Sequence, residues 1–456
     1  MAAHPSPARI TAVRVLLRLQ QDKRVFSAEC LDAEIRRARL SEPDARLATA
    51  IVYGVLRNTL LLDAQYREFL RMAPSRLDPG VRVLLRMATF QKFFLQRIPD
   101  HAIASDAVDI ARRALRLHER DSRFVNAVIR RILALPEMQL PKGADPAGLS
   151  IRYSHPEWLV RYVERKFGGT TEAILASNNQ EAPVAVRVNP LRTTRDDLIA
   201  VMRDLGGECR AGTLSPDALI VDEVPLQSLV KSVPFGSGAF YLQDEGSQAV
   251  AHLVAPKAGE KVLDVCAAPG GKTTHMAELS GGAATIVATD ISEGRLNLLR
   301  ENVARLQTPG VEVLPFVAVM DSDRFHGSFD AVLVDAPCSG LGTLRRNPEI
   351  RYRIQPEELK VLGQQQAELL ARAALLVKPG GRLVYSTCTI SDEENRDVVH
   401  GFLSTHPNFQ HEMNTSGLPA AILQLRDKDN IFRTWPRHLD VDGFEAAILT
   451  RGYIRE

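Results

Sequence analysis

Apolar residues recur every three or four positions through the first part of the chain. Val13, Leu16 and Leu17 share a helical face, as do Ile51 and Val55, and then Val81, Leu84, Leu85 and Ala88. Phe124, Val125, Val128, Ile129 and Leu133 repeat the pattern. The spacing predicts helices nearly throughout Ile10 to Leu135. Breaks fall at Ser41-Glu42-Pro43-Asp44, an N-cap with proline at the start of the next helix, and at Leu77-Asp78-Pro79-Gly80. Leu135 to Ser150 holds Pro136, Pro141, Gly143, Pro146 and Gly148 and reads as a linker.

Beyond the linker the period changes. A helix is expected around Pro156 to Phe167, a strand at Ala185-Val186-Arg187-Val188 and a helix from Thr194 to Leu205. From Gly238 short apolar runs alternate with helical stretches. Strands are expected at Lys261–Val265, Thr285–Thr289, Val311–Val319, Ala331–Val334, Arg382–Ser386 and Glu445–Leu449. Helices of about ten to fifteen residues between several of them suit the crossovers of a parallel sheet. The expected organisation is multidomain: an all-α domain at 1–135, a linker at 136–150, a small α+β subdomain at 151–235 and a doubly wound, Rossmann-like α/β domain at 236–456. Such sheets bind ligands beyond the carboxyl ends of their strands.

Composition adds little until it is divided along the chain. The 456 residues are 45% hydrophobic and 25% charged, with a net charge of +2, which is ordinary for a globular protein. Residues 1–150, however, carry 25 Lys and Arg against 16 Asp and Glu, and the remainder 32 against 39. Arg112, Arg113, Arg116, Arg120, Arg123, Arg130 and Arg131 ride on the polar helical faces. A basic front end suits a polyanion such as nucleic acid, and suits a solvated helical surface equally well. The five cysteines form no C-x-x-C pair, so neither a disulfide framework nor a zinc site is supported, and no metal ligands are expected. Met1 to Arg9 lacks a signal-peptide layout and no apolar run reads as long enough to span a bilayer. A cytoplasmic protein without a membrane partner is the expectation.

Candidate chemistry falls at strand ends. Val262-Leu263-Asp264-Val265 leads into Cys266-Ala267-Ala268-Pro269-Gly270-Gly271-Lys272, a strand, a tight loop and a helix start. Adjacent glycines let a backbone approach a ligand, and a helix N-terminus offers free N–H groups. A phosphate-binding Walker loop needs glycine six residues before its lysine, where this chain has Cys266, and G-x-G-x-x-G is absent too. Asp290, ending the next strand, could accept ribose hydroxyls or simply cap the helix starting near Ser292. Asp321 sits where a carboxylate could meet an adenine amino group, with Asp323 a competitor. Cys338, in Asp335-Ala336-Pro337-Cys338-Ser339-Gly340, and Cys388, in Tyr385-Ser386-Thr387-Cys388-Thr389, each follow an apolar run. Either could be a small core residue. Two strand-end thiols downstream of a glycine-rich loop suggest covalent chemistry on a pyrimidine beside a nucleotide-like cofactor.

Together these residues resemble the cytosine-5 RNA methyltransferases of the Sun/Fmu/Nop2 group. The resemblance spans 236–456. It rests on Gln243-Asp244-Glu245-Gly246-Ser247-Gln248, Cys266 to Lys272, Asp335 to Thr343, Arg346-Asn347-Pro348-Glu349-Ile350-Arg351, Val377 to Cys388, Glu393-Glu394-Asn395 and Asp442-Gly443-Phe444, with Arg187-Val188-Asn189 further upstream. Gly443-Phe444-Glu445 departs from the group, which more often has a second aromatic there. The N-terminal helices look like the NusB-like RNA-binding domain of the bacterial members that act on 16S ribosomal RNA.

The resemblance implies S-adenosyl-L-methionine as cofactor, bound by Cys266, Ala267, Ala268, Pro269, Gly270, Gly271, Lys272, Asp290, Asp321 and Asp335. It implies Cys388 as the thiol that adds to cytosine C6, Cys338 as the group that helps remove the C5 proton and release product, and Asp335 as a hold on the N3 edge. It leaves Lys272 open between raising the local potential and being a solvated helix residue, and gives Cys266 a structural place. The implied substrate is a cytosine of the position-967 type in 16S ribosomal RNA outside the fully assembled subunit, with no DNA expected. Transfer RNA or large-subunit RNA, or a non-catalytic RNA-binding assembly role, are the alternatives. Loss of a cysteine would have favoured the last, and both are present.

Overall fold

The computed structural model describes residues 5–23, 25–435 and 440–453. They fall into two compact units. The first comprises Met1–Gln180 with Leu344–Ile354, the second Glu181–Thr343 with Gln355–Glu456.

In the first unit, helices Pro7–Gln21, Ser27–Ala38, Glu42–Tyr66, Pro79–Phe94, Asp100–Asp109 and Glu119–Leu133 bury Val13, Leu16, Ile51, Val55, Leu84, Leu85, Ala88, Val125 and Ile129 in one core. These are the positions the spacing singles out. Ser41 accepts the Asp44 amide and Asp78 those of Gly80 and Val81, so both predicted breaks are capped helix starts. The long helix from Glu42 through Phe69 corrects one expectation. By length and composition it could cross a membrane, although its apolar side is committed to this core. The end of the segment read as a linker is also helical, over Pro146–Tyr153, because Asp145 caps it by accepting the Gly148 amide.

Leu344–Ile354 completes this unit. Arg351 is fully buried and donates to Asn179 Oδ1 at 2.6 Å and to the Asn178 carbonyl at 3.1 Å. Glu349 accepts the Ser27 amide at 2.8 Å, and the Tyr352 hydroxyl donates to the Ser154 carbonyl at 2.8 Å. Without a carboxylate partner among these bonds, burial pulls the Arg351 guanidinium down to about 10. Leu344–Ile354 thus packs with the helical unit rather than with the sheets that flank it in sequence.

The second unit carries two sheets. The smaller, antiparallel one has strands β1 (Val184–Val188), β2 (Glu208–Ala211), β3 (Ala218–Asp222) and β4 (Phe240–Leu242) in the order β2-β3-β1-β4. The larger comprises β5 (Lys261–Asp264), β6 (Thr285–Asp290), β7 (Val311–Pro315), β8 (Phe329–Asp335), β9 (Val377–Thr387), β10 (Phe409–His411), β11 (Ile431–Arg433) and β12 (Glu445–Arg451). Its order is β10-β12-β9-β8-β5-β6-β7, with β11 also on β12. Strands β5 to β9 pair in parallel, whereas β12 runs antiparallel to β9. The strand predicted to reach Val319 stops at Pro315, and Phe316–Met320 is a short helix. Proline lacks the N–H that a continued ladder needs and its φ suits a helix start.

Candidate active site

The carboxyl ends of β5 and β6 form one half of the site. After Asp264 the chain turns through Cys266 to Gly271 and enters the helix Gly271–Leu279. Gly270 has φ +105°, and a Cβ there would lie 2.6 Å from Leu299 Cδ1, so only glycine makes this turn. It caps the helix without a side-chain hydrogen bond, which leaves first-turn amides for a ligand. The loop is fixed from behind. Ala267 N donates to the Thr289 carbonyl, the Arg295 guanidinium to the Ala268 carbonyl and Asn302 to the Pro269 carbonyl.

Two carboxylates here are buried and incompletely satisfied. Asp290 is 3% exposed. Its Oδ1 accepts the Ser292 amide, but Oδ2 has no hydrogen-bond partner, with the Arg295 guanidinium 3.5 Å away. Ser292, not Asp290, caps the following helix through the Arg295 amide. Asp264 accepts from Thr273 on Oδ2 and leaves Oδ1 without a partner, and burial pushes it up to about 7. Orphaned buried acceptors beside a glycine turn and an open helix N-terminus fit a nucleoside with ribose hydroxyls to donate.

Arg187, fully buried on β1, braces this half. It pairs with Glu278 at 2.7 Å, and also donates to Gln243, to Thr274 Oγ1 and to the Gly271 carbonyl. Asn189 ties the same strand to the Gly238 and Leu306 carbonyls. Arg187-Val188-Asn189 is visible as a motif, but its bracing role depends on a glutamate 91 residues away.

The other half stands at the ends of β8 and β9. These parallel strands are in register through Asp335 and Ser386, and the chain beyond each carries a thiol. Cys338 Sγ and Cys388 Sγ lie 3.3 Å apart. Gly342 permits this approach. Its N–H reaches the Cys388 carbonyl, its carbonyl accepts from Gly443, and a Cβ would lie 2.0 Å from the Gly443 oxygen. The hydrogen bond to Cys388, then burial, then the negative charges of Cys388 and Glu394 push the Cys338 thiol well above its usual range. Two thiols this close do not ionise together, so Cys338 keeps its proton.

Asp335 joins the halves. It accepts from Lys272 Nζ at 2.7 Å on one oxygen and from Ser386 Oγ at 2.8 Å on the other. Lys272 is not a solvated helix residue: its side chain is only 12% exposed and its ammonium lies over the Phe444 ring. Burial opposes its charge, but the Asp335 carboxylate outweighs that and holds it above the usual lysine range.

The structure thus brings together Cys338, Cys388, Asp335 and Lys272, with the Cys266 to Gly271 loop and Asp290 on the neighbouring strands. Cys266 is pushed up to about 12, first by burial and then by Asp264, so it stays a thiol. Asp321, on the chain after the short helix Phe316–Met320, is exposed and ion-paired with Arg372. One cluster lies outside the sequence expectations. His252 and His275 place Nε2 at 2.8 and 3.0 Å from Asp217 Oδ2, and such a donor set could hold a metal ion. Burial, the larger influence, brings His275 down to about 3, so its ring is neutral.

Family models match three stretches: NusB family at 6–134, the ferredoxin-like domain of the RsmF/B-like methyltransferases at 155–226, and 16S rRNA methyltransferase RsmB/F at 251–450. The probable ribosomal RNA small subunit methyltransferase B of Bacillus subtilis (strain 168) is 33% identical over 439 residues, 96% of this chain and 97% of that one. The chain belongs to the RsmB/F methyltransferase family. Another relative, ribosomal RNA small subunit methyltransferase B of Klebsiella pneumoniae (strain 342), is 32% identical and covers 84% of this chain and 86% of its own. The crystal structure of PH0851 superposes with a TM-score of 0.83 at 28% identity, covering 98% and 99% of the two chains. The RsmB/F assignment makes this protein a methyltransferase, with an N-terminal NusB-type domain and a mixed-sheet catalytic domain.

Proposed function

We propose that this RsmB/F protein methylates C5 of one cytosine in 16S ribosomal RNA, of the position-967 type, through a covalent adduct between Cys388 and C6. The observation that carries the reading is the 3.3 Å thiol pair at adjacent strand ends, beside the Lys272–Asp335 bridge. The names of its relatives support the RNA class, and the exposed arginines of the NusB-type helices support an RNA partner.

S-adenosyl-L-methionine would be held by the Cys266 to Gly271 loop and Asp290, and supplies an electrophilic methyl on a good leaving group. The protein's own residues do the rest. C5 of cytosine is a poor nucleophile, and a thiolate bond at C6 makes it an enamine carbon. Lys272 places a buried positive charge among the reacting groups. Asp335, already polarised by Lys272 and Ser386, holds the N3 edge. Once the Cys388 sulfur is spent in the C6 bond, its hydrogen bond and charge no longer help hold the proton on Cys338, and only burial and Glu394 still do. Cys338 can then release its proton to solvent, take the C5 proton as a thiolate and let Cys388 leave as a thiolate as C5=C6 reforms.

The test is transfer of labelled methyl to a 16S transcript, followed by nuclease digestion and mass spectrometry. A single 5-methylcytosine that needs this enzyme is expected. Label confined to transfer RNA or large-subunit RNA would redirect the substrate, and no label on any RNA would end the reading.

A further inference from the structure

Glu394 is fully buried, belongs to a motif that the reaction above leaves without a role, and has no contact with the proposed cofactor cradle. Its carboxylate is engaged on every side. Oε2 accepts the Ser339 amide at 2.8 Å and Gln366 Nε2 at 3.0 Å, and Oε1 accepts the Ser339 hydroxyl at 2.6 Å. With the Ser339 proton committed to this acid, the Thr389 hydroxyl must donate to Ser339 Oγ, 2.6 Å away. Ser339 follows Cys338, and Thr389 follows Cys388. One carboxylate therefore spans the two strand ends that carry the thiols. Gln366 also donates to the Pro337 carbonyl at 2.8 Å, and Tyr385 donates to the Glu394 carbonyl at 2.6 Å. Asn395 closes the loop around Cys388 by donating to the Thr389 and Ser391 carbonyls and accepting from Thr387.

An acid buried among N–H and O–H donors is a costly way merely to fill space. This one sits where a fixed acceptor sets the separation of two reactive sulfurs. We propose that Glu394 is the positioning residue for both thiols, acting on Cys338 through Ser339 and on Cys388 through Thr389. The inference rests on the two-thiol reaction proposed above. Its negative charge also helps keep the proton on Cys338.

The test pairs Glu394→Gln with the conservative Glu394→Asp, each checked for folding and for S-adenosyl-L-methionine affinity. Glu394→Gln should keep that affinity and the RNA KM within about twofold while kcat falls ~10- to 100-fold, the scale of a small misplacement of reacting groups. In a Cys388→Ser background, the pH profile for alkylation of Cys338 should move to lower pH in Glu394→Gln and stay put in Glu394→Asp. A purely structural role would not separate the two variants in this way. Unchanged kcat together with an unmoved profile overturns the proposal. If Glu394→Gln does not fold, Thr389→Val cuts the same bridge at its far end, and an unchanged kcat there overturns it equally. Cys338→Ala serves as control, since it should trap a covalent RNA complex that Cys338→Ala/Glu394→Gln forms ~10- to 100-fold more slowly. No complex in the control defeats the two-thiol reading itself, and this proposal with it.

Discussion

At the ends of β5 and β6, Asp264 and Asp290 each keep a buried oxygen without a hydrogen-bond partner. At the ends of β8 and β9, both oxygens of Asp335 and both of Glu394 are taken. The same sheet edge is thus finished in two ways. A buried acceptor left unpaired costs about 1–3 kcal/mol, which a ligand that donates to it can recover. A carboxylate whose oxygens already have internal partners is not left stranded without a ligand, and it holds its neighbours still. The first half is built to receive and the second to act.

The largest expected effect breaks the acting half. Cys388→Ala should lose ~10⁴-fold or more in methyl transfer and form no covalent RNA complex. Cys338→Ala should still attack, then stall as a protein–RNA species on denaturing electrophoresis that vanishes in the double variant. Swapped phenotypes would move the nucleophile to Cys338. Next comes the receiving half. Asp290→Ala should remove one or two charge-assisted hydrogen bonds to the cofactor, each about 1.5–3 kcal/mol, so calorimetry should read at least a tenfold weaker affinity. An affinity within about twofold of wild type would place the ribose elsewhere.

A smaller effect reports the same half without ligand. Asp264, pushed up to about 7 by burial, titrates near 3.9 when unfolded. Its protonated form therefore contributes stability fully below about pH 4, and that contribution is lost as pH rises through about 7. Thermal unfolding of the unliganded protein should show Asp264→Asn flattening this decline across the window. Equal slopes in both proteins would mean that Asp264 is not strained. The smallest effect sharpens the comparison from outside. Asp321 is exposed and paired with Arg372, so Asp321→Ala should change cofactor affinity by less than ~0.5 kcal/mol. A tenfold loss would make Asp321 a cofactor contact.

What the sequence made legible was local. A glycine that must take positive φ, a strand run ending in Asp or Cys, and a Ser or Asp at a helix start all declare themselves within a few residues. Lys272 could not be read this way, because its burial depends on Asp335, 63 residues on. Glu394 was visible only as part of a motif, since its meaning lies in Ser339, 55 residues back. Val311 to Val319 misled because apolar residues fill the short helix after Pro315 as readily as a strand.

Leu344–Ile354 has a consequence for the order in which the protein is made. Its Arg351 binds carbonyls of a segment that leaves the ribosome far earlier. At about 5–20 residues per second, roughly 10–35 s separate residue 180 from residue 354. Throughout that interval the nascent N-terminal unit waits for its last buried piece, and much of the catalytic chain must emerge before that piece arrives.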